Sequence, residues 1–167
     1  MKKIILGFLF LGLITLTNAQ TVELSETVID LNNKYLNAVD HNNAPKCVKY
    51  LEEKVVNYRN NTIYTSLYND EYDTYKVSFN IPEGEITAVY NINGKIVETR
   101  ENYNDVRLPL VVLQSIAKRF PNWGIIGDAY YIKYQSEKDT VTQEYKIKIK
   151  NEDEIITVKT NENGLFL

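Results

Sequence analysis

Histidine and cysteine are almost missing from this chain, which holds one of each, His41 and Cys47, in 167 residues. A lone cysteine excludes an intramolecular disulfide. A lone histidine leaves zinc chemistry, which needs three or four nitrogen or sulfur ligands, without a ligand set. Phosphate-cradling glycine loops are absent too: neither G-x-G-x-x-G nor G-x-x-x-x-G-K-[ST] occurs among the 7 glycines, so the usual nucleotide-binding turns are excluded. Positive charge is not in excess either. With 19 Lys and Arg against 22 Asp and Glu, the formal net charge is −3, which argues against nucleic acid as the main partner. No low-complexity run and no basic tail interrupts the chain, and no cofactor or metal site is read from it.

Only one long apolar run exists, from Ile4 to Leu16. It is shorter than the roughly 20 residues a bilayer crossing needs. Lys2 and Lys3 precede it, and the small residues of Thr17-Asn18-Ala19 follow it before Gln20. That pattern is a secretory signal peptide over Met1 to Ala19, and it implies a periplasmic or secreted protein with no membrane span after cleavage. Removal of Lys2 and Lys3 takes the formal charge from −3 to −5. The remaining 148 residues, Gln20 to Leu167, suffice to bury about 70% of the unfolded surface without a covalent staple. Tyrosine is abundant at 13 residues, a type that forms strands and also makes contacts.

What the chain does have is self-similarity. The 24 residues from Thr74 to Val97 align without gaps onto the 24 from Glu144 to Leu167 at a constant offset of 70. Identities fall at Tyr75/Tyr145, Lys76/Lys146, Ile86/Ile156, Thr87/Thr157, Asn91/Asn161, Asn93/Asn163 and Gly94/Gly164. Repetition of this kind implies one supersecondary unit used twice. Helical spacing appears in Leu24, Val28, Leu31, Tyr35 and Ala38, predicting a helix over Ser25 to Val39. Pro45 with Val48, Leu51 and Val55 predicts a second. Leu113, Ile116 and Phe120 repeat that three-then-four spacing 65 residues downstream, predicting a third that Phe120-Pro121-Asn122-Trp123-Gly124 closes.

Strands are expected over Tyr72 to Ile81, Ile86 to Asn91 and Lys95 to Arg100, and again over Ala129 to Gln135, Val141 to Lys150 and Glu154 to Thr160. Asn93-Gly94 and Asn163-Gly164 are turn signals because both residue types tolerate positive φ. The expected fold is therefore α+β: a tandem duplicated helix plus antiparallel meander, joined into one larger sheet with helices on one face. Its divisions are a signal peptide (1–19), an N-terminal helix (20–44), a first helix-meander repeat (45–107) and a second (108–167).

Leu108-Pro109, the apolar spacing through Ile116 to Phe120-Pro121, then Tyr145-Lys146-Ile147 and a final Asn-Gly resemble the PepSY-like proteins of bacterial envelopes, of Bacteroidetes type. The resemblance covers roughly Pro45 to Leu167 and implies the β-lactamase-inhibitor-like arrangement of tandem helix-plus-sheet units. It does not carry inhibition of β-lactamase with it. Some relatives bear the label nicotinate-nucleotide adenylyltransferase, but such enzymes use an H-x-G-H phosphate site, whereas His41 here is followed by Asn-Asn-Ala.

No catalytic residue emerges. His41 stands in a polar Asp-His-Asn-Asn loop and is expected to be a solvated residue. Cys47, beside Val48 on a helix, is expected in the core and lacks an adjacent base to activate it. The acidic run Asn69-Asp70-Glu71-Tyr72-Asp73 has no EF-hand spacing, and Glu152-Asp153-Glu154 reads as a hairpin connection. Nothing in the sequence singles out a pair of working carboxylates among 22 acidic residues.

The distinctive pattern is basic. If Tyr145, Ile147, Ile149, Ile156 and Val158 face the helices, alternation sends Lys146, Lys148, Lys150, Thr157 and Lys159 to the opposite face, where Tyr131 and Lys133 join them. This stripe is the expected binding surface, suited to an acidic protein loop or an anionic envelope polymer; the competing reading is a wet, edge-protecting sheet face. Trp123 is either a core cap or an aromatic contact anchor. Asp139-Thr140-Val141 resembles the short O-glycosylation motif of some Bacteroidetes-type secretion systems, with Thr140 as acceptor.

Overall fold

The computed structural model describes residues 26–58 and 74–167. The expected signal peptide and the acidic run at 69–73 lie outside the described residues. Helix α1 spans Glu26–Ala38. Its Tyr35 is buried, as is Val39 just past its end, four residues on and so on the same side. Asp40, with φ 56°, turns the chain into a short 3-10 helix, His41–Asn43, and the Asn43 amide bonds back to the Asp40 carboxylate at 2.9 Å. Pro45 (φ −58°) then caps helix α2, Lys46–Val56, whose Val48, Leu51, Glu52 and Val55 are buried. Proline suits that place because the amide it lacks would be unpaired there anyway.

Six strands follow: β1 (Thr74–Ile81), β2 (Gly84–Asn91), β3 (Ile96–Asn104), β4 (Gly124–Gln135), β5 (Thr140–Asn151) and β6 (Glu154–Asn161), with helix α3 (Leu110–Arg119) between β3 and β4. They form one antiparallel sheet in sequence order. The excursion through α3 returns β4 to the open edge of β3, pairing Glu98 with Gln135 and Asn104 with Ala129. The α+β class and the antiparallel sheet match the sequence expectation.

Three local departures have physical causes. Strand β3 continues past Arg100 to Asn104, because β4 offers it a full-length partner. Strand β4 begins at Gly124 rather than Ala129, and a register shift between Ile125 and Gly127 disguises its alternation. On α3 the buried residues are Val112 and Ile116, while Leu113 is 38% exposed. Three consecutive apolar residues, Val111-Val112-Leu113, leave the inward position open to spacing alone, and Gly164 packs closely on this helix, where an added Cβ would lie 2.8 Å from the Val111 carbonyl oxygen and 2.6 Å from Ser115 Oγ.

Two turns are built alike. After β2, Asn91 Oδ1 accepts the amides of Asn93 and Lys95 at 3.0 and 2.9 Å. After β6, Asn161 Oδ1 accepts those of Asn163 and Leu165 at 3.1 and 2.9 Å. Gly94 and Gly164 hold φ 77° and 74°, a conformation that favours glycine. The core lies between helices and sheet, where Tyr35, Val48, Leu51, Val112 and Ile116 meet the inward residues of β2 to β6.

Candidate functional site

Unbroken alternation along β5 determines its two faces. Tyr145, Ile147 and Ile149 are buried and leave Lys146, Lys148 and Lys150 on the face that carries no helix among the described residues. Register fixes their neighbours: Lys146 stands between Ala129 and Lys159, Lys148 between Gly127 and Thr157, and Lys150 between Gly124 and Ile155. Tyr131 lies beside Asn102 and Glu144, and Lys133 beside Arg100 and Thr142. The structure therefore puts Tyr131, Lys133, Lys146, Lys148, Lys150, Thr157 and Lys159 on one surface.

Their charges are not equivalent. The Lys146 ammonium sits 4.2 Å from the centre of the Tyr131 ring, a cation–π contact. Lys159 pairs with Glu144 at 3.2 Å. Nearer the sheet centre Arg100 pairs with Glu98 at 2.7 Å, and the Glu98 carboxyl is held below its ordinary range, chiefly by that hydrogen bond. Lys148 and Lys150 are exposed and have no ion-pair partner among the described residues. Two hollows open on this face. One hollow of about 520 Å³ is lined by Lys76, Thr87, Glu98 and Arg100, and another of about 640 Å³ by Arg100, Tyr131, Lys133 and Glu144.

Trp123 and Thr140 are not part of this surface. Trp123 is half-buried on the core side, edge-on to Phe120 with ring centroids 6.1 Å apart. Thr140 is exposed at the start of β5, beside Asp139, whose carboxylate pairs with Lys34 at 2.8 Å. Cys47 is half-buried against the core. Glu152, with φ 50°, belongs to the β5–β6 turn.

A second polar constellation escaped the sequence. Glu101 is 2% exposed and Glu52 is fully buried. The Glu101 carboxyl receives hydroxyl hydrogen bonds from Tyr35 (2.7 Å), Thr99 (3.0 Å) and Tyr103 (2.9 Å). Burial, reinforced by the charge of Glu52, outweighs those three donors and pushes Glu101 up to about 8. Burial likewise raises Glu52 to about 8. Tyr35 and Tyr103 are pushed far up by burial and then by Glu101, so both remain hydroxyl donors. The only signal for this cluster is a bulge: the β2–β3 register passes from Val89↔Glu98 to Tyr90↔Ile96, making Val97 an extra residue that turns Thr99, Glu101 and Tyr103 inward.

This inner cluster faces the helices and lies apart from the cationic rows. Among the described residues no group of three or more His, Cys, Asp or Glu side chains could hold a metal, and no helix is long and apolar enough to cross a membrane. Comparison with models of protein families, with curated proteins and with solved structures gives no match.

Proposed function

We propose that this chain is a non-catalytic binding or regulatory protein of PepSY-like type, periplasmic or secreted, that holds a protein or an anionic envelope polymer on its uncovered sheet face. The observation carrying this reading is the row of Lys146, Lys148 and Lys150 on a surface that, among the described residues, carries no helix and leaves Lys148 and Lys150 without an ion-pair partner, in a chain of net charge −3. Concentrated charge of one sign on an otherwise opposite molecule marks a place for a complementary partner. The likeness of the Asn91 and Asn161 turns, at an offset of 70, supports a duplicated helix-meander unit as the scaffold.

The test is capture of envelope and culture-supernatant components on the folded chain. Bound proteins and glycans are identified by mass spectrometry, and capture is repeated with Lys146, Lys148 and Lys159 changed to Glu. A salt-sensitive acidic partner lost on charge reversal supports the reading. Partners that all stay bound to the reversed protein refute the sheet face as the site.

A further inference from the structure

Resting on that reading, we infer that the occupant of the lysine row is an extended acidic polypeptide segment with carboxylates at alternate positions, lying along β5. Lys146, Lys148 and Lys150 project from one face of a regular strand, so their attachment points recur about every 6.8 Å. An extended peptide carries its own alternate side chains at the same repeat. Three acids at alternate positions therefore meet three ammonium groups in register without strain in either backbone.

The surroundings match this occupant. On the β4 side the row is flanked by Gly124, Gly127 and Ala129, none with a side chain larger than methyl, so the lysines border a low floor open to a second chain. One end is closed by Glu144, the next outward position of β5, which is paired with Lys159 and repels a fourth acid. At the other end Ile155, 56% exposed, stands opposite Lys150, and Ile126, 52% exposed, lies at the β4 bulge. These offer apolar contact to a residue following the third acid. A polyphosphate, charged at every unit and lacking a two-residue repeat, gains attraction here but no register.

The decisive comparison uses two labelled nine-residue peptides and the full chain. Both peptides hold three aspartates among threonines, one with the aspartates at alternate positions and the other with them contiguous; inorganic polyphosphate is the third probe. Fluorescence anisotropy at about 20 mM salt, where surface charge is weakly screened, should show the alternating peptide binding about tenfold more tightly, a difference equal to about 1.4 kcal/mol. Lys148→Glu with Lys150→Glu should abolish that preference while the circular dichroism spectrum is retained. Equal affinity for the two isomers, or a preference for polyphosphate, that is still lost in the double variant overturns the peptide and leaves the sheet-face reading standing. Binding unchanged in the double variant, or no binding of any probe, overturns both.

Discussion

Replacing Glu101 with glutamine should make the protein less sensitive to pH and, near neutrality, more stable. In the native state burial and the neighbouring Glu52 raise Glu101 from an ordinary 4.5 to about 8. Unfolding returns it to the ordinary value. Between about pH 5 and about pH 7.5 the native carboxyl therefore keeps a proton that the unfolded chain releases, and stability falls with rising pH. Each unit is worth about 1.4 kcal/mol, so the Glu101–Glu52 pair costs on the order of 3 kcal/mol or more across that window. The contribution is fully present below 4.5 and is lost as the pH climbs through 8. Glutamine cannot ionise, yet its carbonyl oxygen can accept the hydroxyls of Tyr35 and Thr99, and its amide can donate to the Tyr103 oxygen. At about pH 5 the variant should thus lie within about 1 kcal/mol of the parent. Urea unfolding followed by circular dichroism gives both stabilities. The parent should lose about 3 kcal/mol or more between the two pH values. Glu101→Gln should lose less, retaining only the slope that Glu52 contributes, and Glu52→Gln with Glu101→Gln should be nearly flat. Parallel pH lines for parent and Glu101→Gln, or a parent whose stability rises over this window, would refute the reasoning.

Other perturbations test other contacts. Asn32 clips α1 to the β2–β3 turn, its amide donating to the Gly94 carbonyl at 3.2 Å and its oxygen accepting the Ile96 amide at 3.0 Å; Asn32→Ala should cost about 2 kcal/mol, seen as faster hydrogen exchange in α1. Gly164→Ala forces a Cβ to within 2.6 Å of Ser115 Oγ at φ 74° and should cost about 2 kcal/mol or more, measured as a lowered urea midpoint. Trp123→Ala, on the core side against Phe120, should lower stability by about 2 kcal/mol or more while leaving anisotropy titrations with the alternating peptide unchanged; a binding loss without destabilisation would make it the contact anchor instead.

Much of this architecture is legible in the residue order, and the exceptions share a cause. Along β5, Glu144 to Lys150 alternates without interruption, so the inward tyrosine and isoleucines and the outward lysines are correctly sorted by period alone. Along β3 the same rule fails. Counting in twos from buried Ile96 sends Glu98 and Arg100 inward, which is chemically implausible and ends the expected strand at Arg100. The extra residue Val97 resets the phase, exposing Arg100 and burying Glu101. A bulge leaves no mark of its own in composition, so the buried acid cluster is invisible until the register is known. Helix α3 fails differently: Val111, Val112 and Leu113 are consecutive apolar residues, so spacing alone does not choose among them, and it is Val112 that the packed structure buries.

The distribution of charge on the outer face bears on what can settle there. On the outer face Arg100 is answered by Glu98 and Lys159 by Glu144, while Lys148 and Lys150 have no ion-pair partner among the described residues. The three lysines of β5 thus form a row about 14 Å long, on a molecule whose total charge is negative. At physiological ionic strength fields decay over about 8 Å. A short acidic segment aligned with the row therefore feels mainly its three lysines, whereas a long polyanion that overhangs it meets the acidic remainder of the surface. Regular two-residue spacing of the cations along β5, rather than their number, is what sets a short peptide apart from a polymer on this face, and it places the discrimination in ligand length and spacing rather than in net charge.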